Sequence, residues 1–152
     1  MLCLASISGQ AWSNDKEITL DDFVKSIPLW EVPQGSPKTI TGDGGQSVGH
    51  WQISQPMVSD YIRITGHKIA LKDCFDEGVA QMVAKAVLTH YSKHIEKNGY
   101  RVTLDHWLYI WNGGGGAWRR VHSPKYDTKQ FRLERYKQRA YRKLGIYEKE
   151  ET

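Results

Sequence analysis

The sequence predicts a mainly helical α+β fold with one small β-hairpin inserted after the first long helix. Apolar residues recur at spacings of three and four along most of the chain, as they do on the buried face of an α-helix. The segment from Pro33 to Gly49 differs, because its prolines and glycines exclude a long helix and favour tight turns. At 152 residues, the chain has the length of one domain.

The first helix is expected to begin at Thr19, whose hydroxyl can cap free N–H groups, followed by two acids that complement the helix N-terminus. Pro28 should kink or end this helix, because its ring clashes with the preceding turn. Glu31 then lies in or just past the final turn. In the turn-rich segment, Thr39-Ile40-Thr41 is the expected short strand.

Four further helices are predicted from periodicity and from start and stop signals: Pro56 to Gly66, Asp76 to His94, Leu104 to Trp111 and Lys129 to Leu144. The second of these carries the strongest apolar stripe, formed by Phe75, Val79, Met82, Val83, Ala86, Val87 and Tyr91. The last is basic, and its inward side is expected to consist of Phe131, Tyr136, Ala140 and Leu144.

Composition restricts the partners and cofactors. The net charge of +4 and the pI of about 9.0 suit an anionic partner, and no apolar run is long enough for a membrane span. The two cysteines, Cys3 and Cys74, make a disulfide framework or a cysteine metal site improbable. His90 and His94 fit one face of a helix, and there is no His-Glu-x-x-His pattern. We therefore expect no metal and no cofactor.

The two ends of the chain are set apart from the predicted domain. Residues 1–13 resemble the back half of a secretory signal that lacks its positive start; the alternative is a disordered leader. Residues 14–147 form the predicted single domain, and 148–152 form a charged tail. We therefore expect a secreted or periplasmic protein, and a phage-encoded origin fits equally well.

Glu31 and Asp43 are the acids with a setting suited to glycoside cleavage. That reaction needs a carboxylic acid kept protonated near neutral pH, which apolar surroundings favour. Glu31 follows Leu29-Trp30 and precedes Val32. Asp43 lies 12 residues after Glu31 in a glycine-rich turn. The alternative for Asp43 is a tight turn in which its side chain bonds to its own backbone.

Two motifs carry a resemblance to a known family. The pattern Gly42-Asp43-Gly44-Gly45-Gln46-Ser47-Val48-Gly49-His50-Trp51-Gln52-Ile53 resembles that of lysozyme-like and transglycosylase-like domains, including bacterial, phage and invertebrate-type members. Tyr109-Ile110-Trp111-Asn112-Gly113-Gly114 resembles the Asn-Gly-Gly motif that ends a helix in the same enzymes. The motifs occur in the family's order and, with Glu31, cover roughly residues 21–136. The resemblance implies a lysozyme-like fold.

The resemblance also implies an activity, the cleavage of β-1,4 links in peptidoglycan or a related amino-sugar polymer such as chitin. Glu31 matches the general acid, and Asp43 matches the second carboxylate. If Asp43 acts as nucleophile or ion stabiliser, the enzyme is a retaining hydrolase. If Glu31 acts alone, it is a lytic transglycosylase that leaves an anhydro product. The residues implied for substrate binding are Gly49, His50, Gln52, Ile53, Tyr109, Trp111, Asn112 and Gly113. A monomer is expected.

Two other functions account for parts of the sequence. Val32-Pro33 stands where the family usually has a small pair such as Ser-Gly, and Pro28 is unusual in that helix, which suits a non-catalytic glycan-binding protein on the same fold. The tail interleaves basic and aromatic residues, a pattern found in nucleic-acid-binding proteins. Such a run more often forms the solvated face of a terminal helix, so a nucleic-acid partner is not expected. The tail residues are Arg132, Arg135, Tyr136, Lys137, Arg139, Tyr141, Arg142 and Lys143.

Overall fold

The computed structural model describes residues 18–146, so the predicted leader and charged tail lie outside the described residues. The protein is mainly helical with one small antiparallel sheet, which confirms the predicted fold class. The chain divides into two compact units, one formed by residues 18–26 and 103–146 and the other by Ile27–Val102. None of the helices within residues 18–146 combines the length and the apolar character needed to cross a membrane.

The first helix ends where the proline predicts. Helix α1 (Leu20–Ser26) follows Thr19, whose hydroxyl accepts a hydrogen bond from the Asp22 N–H at 3.2 Å. A one-turn helix, α2 (Pro28–Glu31), begins at Pro28, because proline has no N–H to continue the helical hydrogen bonds. Glu31 is therefore the last residue of α2, and the chain leaves it in an extended conformation.

A three-stranded antiparallel sheet follows, formed by β1 (Thr41–Gly42), β2 (Ser47–Val48) and β3 (Ile53–Ser54) in that order. The predicted strand at 39–41 is only partly correct, because the Ile40 N–H instead closes a turn on the Pro37 carbonyl at 3.0 Å. Between β2 and β3, Gly49 has a φ of +71°. A Cβ atom there would lie 3.0 Å from the Cys74 carbonyl oxygen, so this turn requires glycine.

Two helices complete the Ile27–Val102 unit, α3 (Gln55–Thr65) and α4 (Glu77–Lys97). Both begin and end within a few residues of the predicted positions, and Asp76 caps α4 by accepting the Val79 N–H at 3.0 Å. The predicted stripe of α4 was partly wrong, because Met82 is 45% exposed. The helix is rotated so that small alanines enter the interior; its buried residues are Ala80, Val83, Ala84, Val87, Leu88 and Ile95.

The other unit contains α1 together with α5 (Leu104–Gly113), α6 (Arg119–His122) and α7 (Thr128–Leu144). The Phe23 ring of α1 lies 5.4 Å from the Trp107 ring of α5. The prediction of Phe131 as an inward residue was wrong, since its side chain is 63% exposed. The inward positions at the start of α7 are instead occupied by Gln130 and Leu133, which lie about two turns and one turn before the buried Tyr136.

The end of α5 approaches α7 closely at Gly113. A Cβ atom at Gly113 would lie 2.7 Å from the Ala117 Cβ and 2.8 Å from a methyl of Leu133. Tyr109, Ala117 and Leu133 form one buried cluster beside this contact. Glycine therefore allows the last turn of α5 to pack directly on α7.

We expect the substitution Gly113→Ala to lower the free energy of unfolding by about 1–3 kcal/mol, because the added methyl overpacks the interior. Urea denaturation measures this change. Gly116→Ala is the matched control, since a Cβ there would meet only the end of the Arg119 side chain at 3.5 Å. Equal stability of the two variants would contradict the close contact of α5 and α7.

Candidate functional site

Glu31 lies at the end of α2 with a half-buried side chain. Its N–H donates to the Ile27 carbonyl at 3.2 Å, so the residue belongs to the helical turn. Its neighbour Trp30 is buried, whereas Pro33, two residues further on, is exposed. Glu31 therefore lies at a helix end, between a buried and an exposed neighbouring residue.

Asp43 lies in the turn between β1 and β2, where it begins a short 3₁₀ turn. Its φ of +51° falls in the left-handed region, which aspartate tolerates better than most residues. The side chain is exposed, and one carboxylate oxygen accepts a hydrogen bond from the hydroxyl of Ser47 at 3.0 Å. Because Ser47 is itself buried, this bond fixes the carboxylate to the sheet.

Gln52 and Gly49 stabilise the turn between β2 and β3. The Gln52 side-chain amide donates to the Gly49 carbonyl at 2.8 Å. Its oxygen occupies the space beside Gly42, where a Cβ would lie 2.1 Å away. Gly49 is buried, and the side chain of Ile53 is fully buried. These three predicted binding residues are thus involved in contacts within the protein, and the fourth, His50, is as well.

His50 joins the loop that follows Glu31 to the start of α4. Its Nε2 donates to the Ser36 carbonyl at 2.7 Å, and its Nδ1 lies 3.2 Å from a carboxylate oxygen of Glu77. Lys38 lies 4.0 Å from the same oxygen of Glu77. The sequence gives no local signal for this role, because Ser36 and His50 are 14 residues apart.

Tyr109, Trp111 and Asn112 lie in the last turns of α5. Tyr109 and Trp111 are buried, and the Gln130 side-chain amide donates to the Tyr109 hydroxyl at 3.3 Å. Burial raises the pKa of Tyr109, so the phenol remains protonated near neutral pH. Tyr109 and Trp111 therefore support the end of the helix from within.

Asn112 differs from its neighbours because it is half-buried and has an unsatisfied acceptor. Its side-chain oxygen is buried and has no hydrogen-bond partner among residues 18–146. A buried acceptor without a donor costs about 1–3 kcal/mol, so this oxygen destabilises the end of α5 by that order. Asn112 also lines a groove of about 550 Å³ along α7, together with Phe131, Tyr136 and several arginines.

The predicted site residues are divided between the two compact units. Glu31, Asp43 and the segment from Gly49 to Ile53 belong to Ile27–Val102, and the segment from Tyr109 to Gly113 belongs to the unit of α5 and α7. In the part of the chain that the structure describes, no group of three or more His, Cys, Asp or Glu side chains could hold a metal ion.

Comparisons with protein-family models, with curated proteins and with solved structures found no match.

A histidine pair, which the sequence motifs do not reveal, supports the start of α5; His106 is its buried member and His122 its exposed one. His106 is fully buried, and its Nδ1 accepts the Thr103 N–H at 2.9 Å. Its Nε2 therefore carries the proton and donates to Nε2 of His122 at 2.7 Å. Burial, and then the proximity of His122, lower the pKa of His106 below its ordinary value.

This pair predicts a loss of stability on acidification. Above about pH 6.5, His106 is neutral in both the folded and the unfolded chain. Below that pH, the unfolded chain takes up the proton more readily, since the folded pKa is lowered, and the free energy of unfolding falls. Urea denaturation between pH 7.5 and 5 should show a smaller fall in His106→Gln than in the parent protein. Equal slopes in the two proteins would contradict this role of His106.

Proposed function

We propose that the protein is a lysozyme-like glycosidase that cleaves β-1,4 links between N-acetylated amino sugars, with Glu31 as general acid. The observation that carries this proposal is the position of Glu31, half-buried at the end of α2 beside buried Trp30 and ahead of the small sheet. The motifs around Asp43 and Asn112 follow in the order that the family resemblance implies.

In the proposed reaction, the carboxyl group of Glu31 gives its proton to the bridging oxygen as the glycosidic bond breaks. Such an acid must be protonated when the substrate binds, and partial burial favours the neutral form of a carboxyl group. In a retaining hydrolase, a carboxylate on the opposite side bonds to or stabilises the positive sugar carbon, and water then completes the cleavage and returns a proton to the general acid. Asp43 is proposed for this role, and its hydrogen bond from Ser47 would hold the carboxylate in one orientation.

The substitution Glu31→Gln tests the acid. Glutamine keeps the size and a polar end but has no proton to transfer, so we expect cleavage to fall at least about a hundredfold. The measurement is the rate of release of soluble fragments from bacterial cell wall and from glycol chitin. Circular dichroism and thermal unfolding of the variant should match the parent protein.

Full cleavage by a folded Glu31→Gln protein would overturn the assignment of Glu31. Glu77→Gln is the matched control, because Glu77 is an acid of the same unit that faces His50 and Lys38. We expect Glu77→Gln to retain cleavage. A parent protein that binds the polymer without cutting it would instead favour the non-catalytic glycan-binding protein.

Asp43→Asn tests the second carboxylate. Asparagine can still accept the Ser47 hydrogen bond, so the turn should keep its structure while the negative charge is lost. We expect cleavage to fall at least about a hundredfold and the parent's products to have the mass of hydrolysed fragments, measured by mass spectrometry. Full activity of Asp43→Asn, with products lighter by one water, would show instead that Glu31 acts alone as in a lytic transglycosylase.

A further inference from the structure

The positive charge of the protein is concentrated on helix α7. Seven basic residues and one acid give α7 a net charge of +6, whereas the whole chain carries +4. The remainder of the chain therefore has a net charge of −2. A basic composition by itself favours anionic partners in general. The distribution of the charge indicates that α7 is the part of the chain that such a partner would contact.

Four of these residues form a line on the outer face of α7, which we call the arginine stripe: Arg132, Arg135, Arg139 and Arg142. All four are exposed and follow each other at spacings of three and four residues, so they lie on one face of the helix. The line is about 15 Å long at 1.5 Å per residue. Within residues 18–146, none of the four pairs with a carboxylate, whereas Lys137 on the same helix pairs with Asp105 at 2.9 Å.

An exposed aromatic ring and an unsatisfied amide lie beside the stripe. Phe131 is 63% exposed, and the Arg135 guanidinium stands 5.9 Å from the centre of its ring. Asn112 lines the same groove and has no hydrogen-bond partner for its side-chain oxygen in the described range. The groove thus offers positive charge and an apolar ring face.

We propose that the arginine stripe, with Phe131, binds an acidic glycan chain through carboxylates repeated along the chain. The proposal rests on the proposed function, because it assigns the bound chain to the same type of polymer. A line of four guanidinium groups suits a repeating anion better than a single small ion, and guanidinium forms paired hydrogen bonds with carboxylates. The choice of a glycan over a nucleic acid as the occupant follows from the proposed function, which rests on motifs that resemble those of glycan-cleaving enzymes.

Two soluble polymers with the same backbone test the proposal. Carboxymethyl chitin carries carboxylates on β-1,4-linked amino sugars, and glycol chitin is its neutral counterpart. We expect the full-length protein to bind carboxymethyl chitin at least about tenfold more tightly, with the difference decreasing as salt is added. All binding is measured in a Glu31→Gln background, so that the general acid is absent from the binding measurements.

The double substitution Arg135→Gln with Arg139→Gln should abolish most of this preference, weakening the binding of carboxymethyl chitin about fivefold or more. The matched control is Lys68→Gln with Lys72→Gln, which removes two exposed charges from the other unit. This control should bind like the parent protein. Equal weakening in the two double variants would show a general charge effect and would overturn the stripe as a site.

Further outcomes distinguish the partner and the two proposals. Tighter binding of single-stranded oligothymidylate than of carboxymethyl chitin, lost in the arginine variant, would replace the glycan with a nucleic acid. Equal binding of the two chitins, alongside cleavage that depends on Glu31, would overturn the stripe and leave the proposed function intact. Carboxylate-dependent binding without any cleavage by the parent protein would retain the stripe and overturn the enzyme.

Discussion

The missing N–H of Pro28 is the constraint on which the geometry of the candidate acid depends. Ile27 keeps right-handed helical angles, yet the hydrogen-bond series of α1 stops at Ser26, and one new turn ends at Glu31. Val32 has an extended backbone conformation and begins the loop that contains Ser36. His50 links this loop to the start of α4 through its contacts with Ser36 and Glu77. Pro28 therefore determines that Glu31 is the last residue of a separate helical turn.

The sequence predicted the helices well, because their signals are local. The cap at Thr19, the stop at Gly66 and the cap at Asp76 all rest on residues within one turn of a helix end. The inward faces were harder to predict. Met82 and Phe131 fit the apolar spacing of their helices, but their side chains are exposed. The interior positions are occupied instead by alanines in α4 and by Gln130 in α7, which do not stand out as large apolar residues in the sequence.

The candidate site remains a prediction from sequence motifs, and the contacts of its residues depend on distant parts of the chain. Gly42 and Gln52 show this, because the glycine leaves room for a side chain that lies ten residues away in the sequence. His50 and the His106–His122 pair are similar cases, with partners 14 and 16 residues away. A motif indicates positions by residue type and spacing, but it does not separate side chains that support a turn from those that contact a ligand.

The groove lies along α7, a helix that packs closely through one face and exposes the arginine stripe on another. Leu133, Tyr136 and Ala140 direct the apolar face inward, and Gly113 allows the end of α5 to meet it directly. The helical period then leaves the arginine stripe facing solvent. Asn112 precedes Gly113 and so lies where the packed face gives way to the charged one. The same contact that stabilises this unit thus positions Asn112 beside arginines that pair with no carboxylate of residues 18–146.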